Sequence, residues 1–189
     1  MKVSVGADVL AMPTPVWIVG SYDQEDKPNA MTIAWGGICC SKPPCVAVSL
    51  RKATYTYGNV MRRKAFTVNV PSEVHAKEAD YFGMASGRKV DKFAVTGLTP
   101  VHSETVDAPY IQEFPLVLEC RLLHTLEIGL HTQFVGEIVD VKADEDVLVD
   151  GRPVLDKVLP LVFGTGSDSY YKSGPFLGKG FSIGRGYMS

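Results

Sequence analysis

Long apolar runs are missing from this 189-residue chain. None comes near the ~20 residues that a membrane-spanning helix requires, so no membrane partner is expected. Surplus positive charge is missing too: 19 Lys and Arg face 21 Asp and Glu, a formal net charge of −2. Nucleic acid is therefore not expected as the main partner, because neutralising phosphates takes a basic surface. Cysteine is scarce, and Cys39, Cys40, Cys45 and Cys120 form no Cys-x-x-Cys. Without paired histidines either, no zinc site is expected, and free thiols are the expected state. The neighbours Cys39 and Cys40 invite a redox reading. Against it stand the strain of a bond between adjacent residues and the ordinary burial of cysteine.

Catalytic and nucleotide motifs are absent as well. Gly164-Thr165-Gly166 has Ser169 where the third glycine of Gly-x-Gly-x-x-Gly belongs, and Gly178-Lys179-Gly180 reaches Gly184 one residue too late. Neither precedes a helical pattern, which excludes a Rossmann domain, and the Walker pattern is missing. Gly-x-Ser-x-Gly is missing too, and the four histidines have no evident nucleophile beside them. His75, His102 and His124 read as structural, whereas His131 stands out beside Gly129 at a strand junction. The opening Met-Lys-Val-Ser-Val-Gly-Ala-Asp lacks the apolar segment of a signal peptide, so the cytoplasm is the expected location. No repeat or low-complexity linker divides the chain, and a single domain over 1–189 is expected.

What is present gathers between Asn29 and Thr56. Two apolar runs flank a Gly-Gly and Pro-Pro connection; the second, Cys45 to Leu50, suits a buried strand. It ends at Arg51. Thr54 then opens a helical pattern as its N-cap, continued by Tyr57, Val60 and Met61. An Arg delivered to a helix N-terminus makes an anion site, because the free N–H groups of the first turn and the positive dipole end face the ligand. Thr54, Tyr55 and Thr56 add hydroxyls. A second basic group, Arg88, Lys89 and Lys92 beside Ser86 and Gly87, repeats the pattern. Solvated surface charge explains either group alone; two together point to a phosphate-bearing ligand. Trp35, Tyr55, Tyr57, Phe82, Phe93, Tyr170 and Tyr171 suit a core or rim, or the walls of a site for a flat ring.

Strands are expected over Val16–Gly20, Asn29–Trp35, Cys45–Leu50, Ala65–Val70, Leu116–Glu127, Thr132–Lys142 and Leu159–Phe163, with helices from Thr54 and from Ser72 to about Met84. A short helical turn follows Lys92 and ends at Gly97. The tail from Gly164 reads as loop with short strands at most. Mainly β with short inserted helices, the pattern favours a closed antiparallel barrel.

These segments, in this order, resemble the flavin reductase-like FMN-binding split barrels, and within them the flavoredoxin branch. The likeness is carried by Pro13–Gly20, Asn29–Pro44, Val46–Thr56, Phe66–Val70 and Ser86–Phe93. It implies a six-stranded antiparallel split barrel of Greek-key type that binds FMN non-covalently as a homodimer. It implies further that Met31, Thr32, Ile33, Ala34 and Trp35 line the ring. Ser49, Leu50, Arg51, Thr54, Tyr55 and Thr56 would hold ring edge, ribityl chain and phosphate. Ser86, Gly87, Arg88, Lys89 and Lys92 would form a second basic wall, with His131 and Tyr170 near the flavin. Either a redox partner protein or NAD(P)H would then supply electrons; a flavin reductase and a flavin storage module remain alternatives to an electron carrier.

Overall fold

The computed structural model describes residues 1–188. In chain order it begins with β1 (Thr14–Pro15), β2 (Trp17–Tyr22), β3 (Pro28–Ile33), β4 (Gly36–Ser41) and β5 (Pro44–Arg51). Then come α1 (Tyr55–Arg63), β6 (Ala65–Val70), α2 (Ala76–Met84), α3 (Lys92–Thr96), β7 (Pro100–His102) and β8 (Pro109–Ile111). The long hairpin β9 (Leu116–Ile128) and β10 (His131–Ala143) follows, and then β11 (Leu148–Val149), β12 (Arg152–Pro153), α4 (Leu155–Val158), β13 (Leu161–Gly164) and β14 (Ser169–Lys172).

The main sheet runs β3-β2-β6-β9-β10-β5-β4, and all its pairings are antiparallel. It holds seven strands where six were expected; β4 is the addition. Its glycines had suggested a break. Gly36 instead lets the strand lie flat on its neighbours, since a Cβ there would sit 2.9 Å from both Ile33 and Trp17, while Gly37 borders open space. The sheet coils until the chain beyond β3 meets β5, where Ser49 N donates to Trp35 O at 2.9 Å. The expected split barrel is thus present, with its split between β3 and β5.

Inside the coil, Val19, Ile33, Val48, Leu50, Phe66, Val68 and Phe134 form one core. Each fully buried side chain of this size contributes about 1.5–3 kcal/mol. Gly136 makes room for Phe66, whose ring lies 2.6 Å from where a Cβ would stand. A second core forms where α2 and α3 cover the outer face of β2 and β3, through Ile18, Ala30, Ala79, Phe82 and Phe93. Strand β6 lies between covered faces and is buried along its whole length. Its polar Asn69 is satisfied by Ile18 O, Thr67 Oγ1 and Ile111 N.

Some boundaries differ from the sequence reading. A 3-10 turn, Glu73–His75, precedes α2, and Ser72 makes no side-chain cap; it bridges to Pro160 instead. Among the described residues no helix is long and apolar enough to cross a membrane.

Candidate functional site

A groove follows the split. Its deeper end, about 320 Å³, is lined by Asn29, Met31, Arg51, Thr54, Tyr55, Thr56, Gly83, Ser86, Gly87 and Lys92, among others. A second compartment of about 280 Å³ shares Met31, Arg51, Thr54 and Gly83 with it and adds Thr32, Ile33, Ala34, Trp35, Ser49, Leu50 and His131. The two form one slot, with the extended backbone beyond Met31 along one side and the end of β5 along the other.

The polar end is built by α1. Thr54 is its N-cap: the Thr54 hydroxyl accepts from Tyr57 N at 3.3 Å and donates to Arg51 O at 2.8 Å. That pair of bonds ties strand end to helix start, so Arg51 and the first-turn N–H groups face the same space. No acidic residue stands in the first turn. Arg51 is exposed, and it makes no ion pair among the described residues. Tyr55 donates to Asp23 Oδ2 at 2.7 Å, a bond that raises the tyrosine pKa. Thr56 is buried and accepts from Asn29 Nδ2 at 2.9 Å.

The opposite wall comes from α2, α3 and the loop between them. Lys92, only 4% exposed, donates to Ala30 O at 2.7 Å and Phe82 O at 2.8 Å. Burial pushes its pKa down to about 8. The Thr32 hydroxyl donates to Ala79 O and binds β3 to α2. Close approach at Gly87 requires glycine: a Cβ there would lie 2.0 Å from Asn29 Oδ1 and 2.9 Å from the Tyr55 ring.

Sixteen of the expected residues fall in or beside the groove, counting Arg88 at the rim; fifteen line it directly. Arg88 itself lines neither compartment but reaches two residues that do, donating to Ala53 O at 2.8 Å with its guanidinium 5.4 Å from the Tyr55 ring centroid. Lys89 is exposed on the loop and lines neither compartment. Tyr170 is not brought to the groove either. It packs on Phe163 and donates to Asp80 Oδ1 at 3.0 Å, because β14 pairs with β13 behind α2.

The main residue that sequence reasoning missed is Asn29. It is 4% exposed, lines the groove, and has an Oδ1 without a hydrogen-bond partner. A polar residue opening an otherwise apolar strand was the available signal. The orphaned acceptor suits a ligand rich in hydroxyls, and the cationic end suits a phosphate. Next to Trp35 and Ser49 lies a shallower shelf of about 330 Å³, lined by Gly36, Gly37, Ile38, Cys39, Ala47 and Gln133. All four cysteines are free thiols, with Cys39 and Cys40 exposed.

The flavin reductase like domain profile matches residues 9–169. Among solved structures, the flavoredoxin of Desulfovibrio vulgaris (Miyazaki F) is 55% identical, with a TM-score of 0.94 over 97% of this chain and 100% of that one. A flavoredoxin from Methanosarcina acetivorans is 32% identical, with a TM-score of 0.93 over 100% of each chain. The high molecular weight rubredoxin of Moorella thermoacetica is 34% identical over 116 residues, which are 60% of this chain and 48% of that protein.

Proposed function

The chain belongs to the flavin reductase like domain family, and on that premise we propose that it is an FMN-binding redox protein of flavoredoxin type. The observation that carries this reading is the layout of one slot. A free Arg51 and a capped helix N-terminus stand where the two compartments meet, with Asn29, Ser86 and Gly87 on one side and the opening between β3 and β5 on the other. FMN, when bound, supplies the electron-accepting chemistry.

The protein's own groups position it. Arg51 and the N–H groups of Tyr55 and Thr56 hold the phosphate, with Thr54 fixing their geometry. Asn29 Oδ1 accepts from a ribityl hydroxyl, and Ser86 and Gly87 close the chain side. Thr32, Ile33, Ala34, Trp35, Ser49, Leu50 and His131 frame the ring. Lys92 keeps a fixed positive charge at neutral pH, since about 8 lies above it, and this charge favours the electron-rich form of the ring. Lys89 and Arg88 add long-range attraction for the phosphate from the rim. We also place the protein in the cytoplasm, where four free thiols persist, and treat it as one domain that works as a homodimer.

A partner protein feeding electrons is the first reading. NAD(P)H as donor is the second, favoured by the open shelf beside Trp35 that adjoins the ring end of the slot. The pure protein should show, or acquire with added FMN, a flavin spectrum; absence of both sinks the reading. Anaerobic stopped-flow then separates the two donors. Rapid bleaching by NADH or NADPH favours the reductase, and none favours a carrier.

A further inference from the structure

The segment 173–188 leaves β14 and turns no apolar side chain inward. Phe176, Leu177, Phe181, Ile183, Tyr187 and Met188 are all exposed, Leu177 at 91% and Tyr187 at 94%. Yet the segment has a defined local fold. Ser182 N and Ile183 N both donate to Lys179 O, and a 3-10 turn follows over Arg185–Tyr187. Gly178, at φ +155, is held against Ile183, whose Cγ2 would lie 2.2 Å from an added Cβ. Solvated tails are polar and rich in charge of one sign. This one displays large hydrophobic side chains on ordered turns, which marks a surface made to be covered.

We propose that this segment is an intermolecular arm that seats on a second copy of the chain, over the tip of that copy's β9–β10 hairpin. Three observations select this occupant. The first is shape. Leu126, Ile128 and Leu130 are exposed at the tip, and Leu126 and Ile128 share a face with their cross-strand partners Gln133 and His131. The tip thus offers an uncovered apolar face, and each copy carries one arm and one tip, as a two-fold pair requires.

The second is area. The arm carries six large apolar side chains; its three aromatic ones bring about 150–250 Å² each, and with Leu177, Ile183 and Met188 they reach the ~800 Å² per partner of a stable interface. The third is charge. The segment carries Lys179 and Arg185 and no acid; with those two set aside, the rest of the chain holds 17 cationic against 21 acidic side chains. The arm is therefore attracted to the body of another copy. Because His131 also lines the ring end of the slot, an arm on the tip covers the open flank of the site.

The test uses flavin-free protein, so its failure is distinct from failure of the flavin reading. The full chain and a chain ending at Lys172 are compared by sedimentation equilibrium. We expect at least ~100-fold weaker self-association on truncation, with far-UV circular dichroism and melting of the barrel retained. The double variant Leu177→Ser, Phe181→Ser and the tip variant Ile128→Ser should each weaken association by about tenfold or more. A photo-crosslinking residue at position 181, in mixed ¹⁴N and ¹⁵N protein, should join peptides of opposite label that include the tip. Unchanged association on truncation, a monomeric full chain, or crosslinks confined to one copy each overturn the proposal.

Discussion

Lys92 and Arg51 are two cations on one groove, and they are built in opposite ways. Lys92 is nearly fully buried, tied to two carbonyls and shifted by burial towards neutrality. Arg51 is exposed, unpaired among the described residues and held only through its backbone, by Thr54. The fold has already desolvated and oriented Lys92, so little is left for a ligand to reorganise, and its charge acts at a fixed point. Arg51 keeps its donors free, which suits a dianionic group arriving from solvent. On the proposed reading, one cation tunes the flavin and the other captures its phosphate.

The largest effect should come from removing the space between the two walls. Gly87→Ala drives a methyl into Asn29 Oδ1, and Asn29 is buried and bonded to Thr56, so it has little room to yield. We expect FMN affinity to fall by about 100-fold or more, roughly 2.7 kcal/mol. Riboflavin should suffer nearly as much, because the block is steric. Titration of apo-protein followed by flavin fluorescence checks this. Equal affinity in wild type and variant would mean that the ligand does not pass Gly87.

Arg51→Ala should come next and should separate the two ligands. A charge-assisted contact to phosphate is worth about 1.5–3 kcal/mol, so FMN binding should weaken roughly tenfold to a hundredfold. Riboflavin, which lacks the phosphate, should be little affected, and the melting temperature of apo-protein should barely move. An equal loss for both ligands would move Arg51 from the phosphate to the ring.

The same contrast explains what was legible in the sequence. Arg51 and Thr54 could be read because a strand end followed by a cap is a local pattern, and the structure keeps it to the residue. Lys92 could be read only as one member of a basic cluster, not as a buried wall of the groove. Nothing within α3 foretells that its ammonium reaches Ala30, 62 positions away. Asn29 was missed for a related reason, since its burial depends on α1 and on the Gly87 loop, both far along the chain. Strand β4 was missed because paired glycines signal a turn by propensity, whereas here close packing on Trp17 requires the first of them, Gly36. Tyr170 was placed near the flavin as a late aromatic, and pairing of β14 with β13 carries it elsewhere.

Lys92→Met tests the tuning half of the comparison. Loss of FMN affinity should stay below about tenfold, because the phosphate contacts remain. The distinguishing readout is pH. The folded-state pKa is about 8 and the ordinary lysine value is near 10.5. Between them the unfolded chain holds more protons than the folded one, so apo-protein stability gains from this group as pH rises from about 8 to about 10.5. The variant should lack that gain in urea titrations across the window. If wild type and variant change in parallel, Lys92 titrates normally and its burial is not felt.

Tyr170→Phe should have the smallest effect on the groove and removes a group that shares its chemistry but not its place. Burial, and then the bond to Asp80, raise the Tyr170 pKa to about 12. The lost hydrogen bond to a carboxylate should cost about 1–2 kcal/mol of stability at neutral pH. The sign of its pH dependence is opposite to that of Lys92. Between about 10 and about 12 the folded chain keeps a proton that the unfolded one has lost, so wild-type stability falls with rising pH there, and the variant should fall less. FMN and riboflavin affinities should both stay within about twofold, since neither compartment of the groove includes this residue. A tenfold loss of FMN binding with unchanged apo-protein stability would return Tyr170 to the flavin, and would mean that α2 moves aside when the ligand binds.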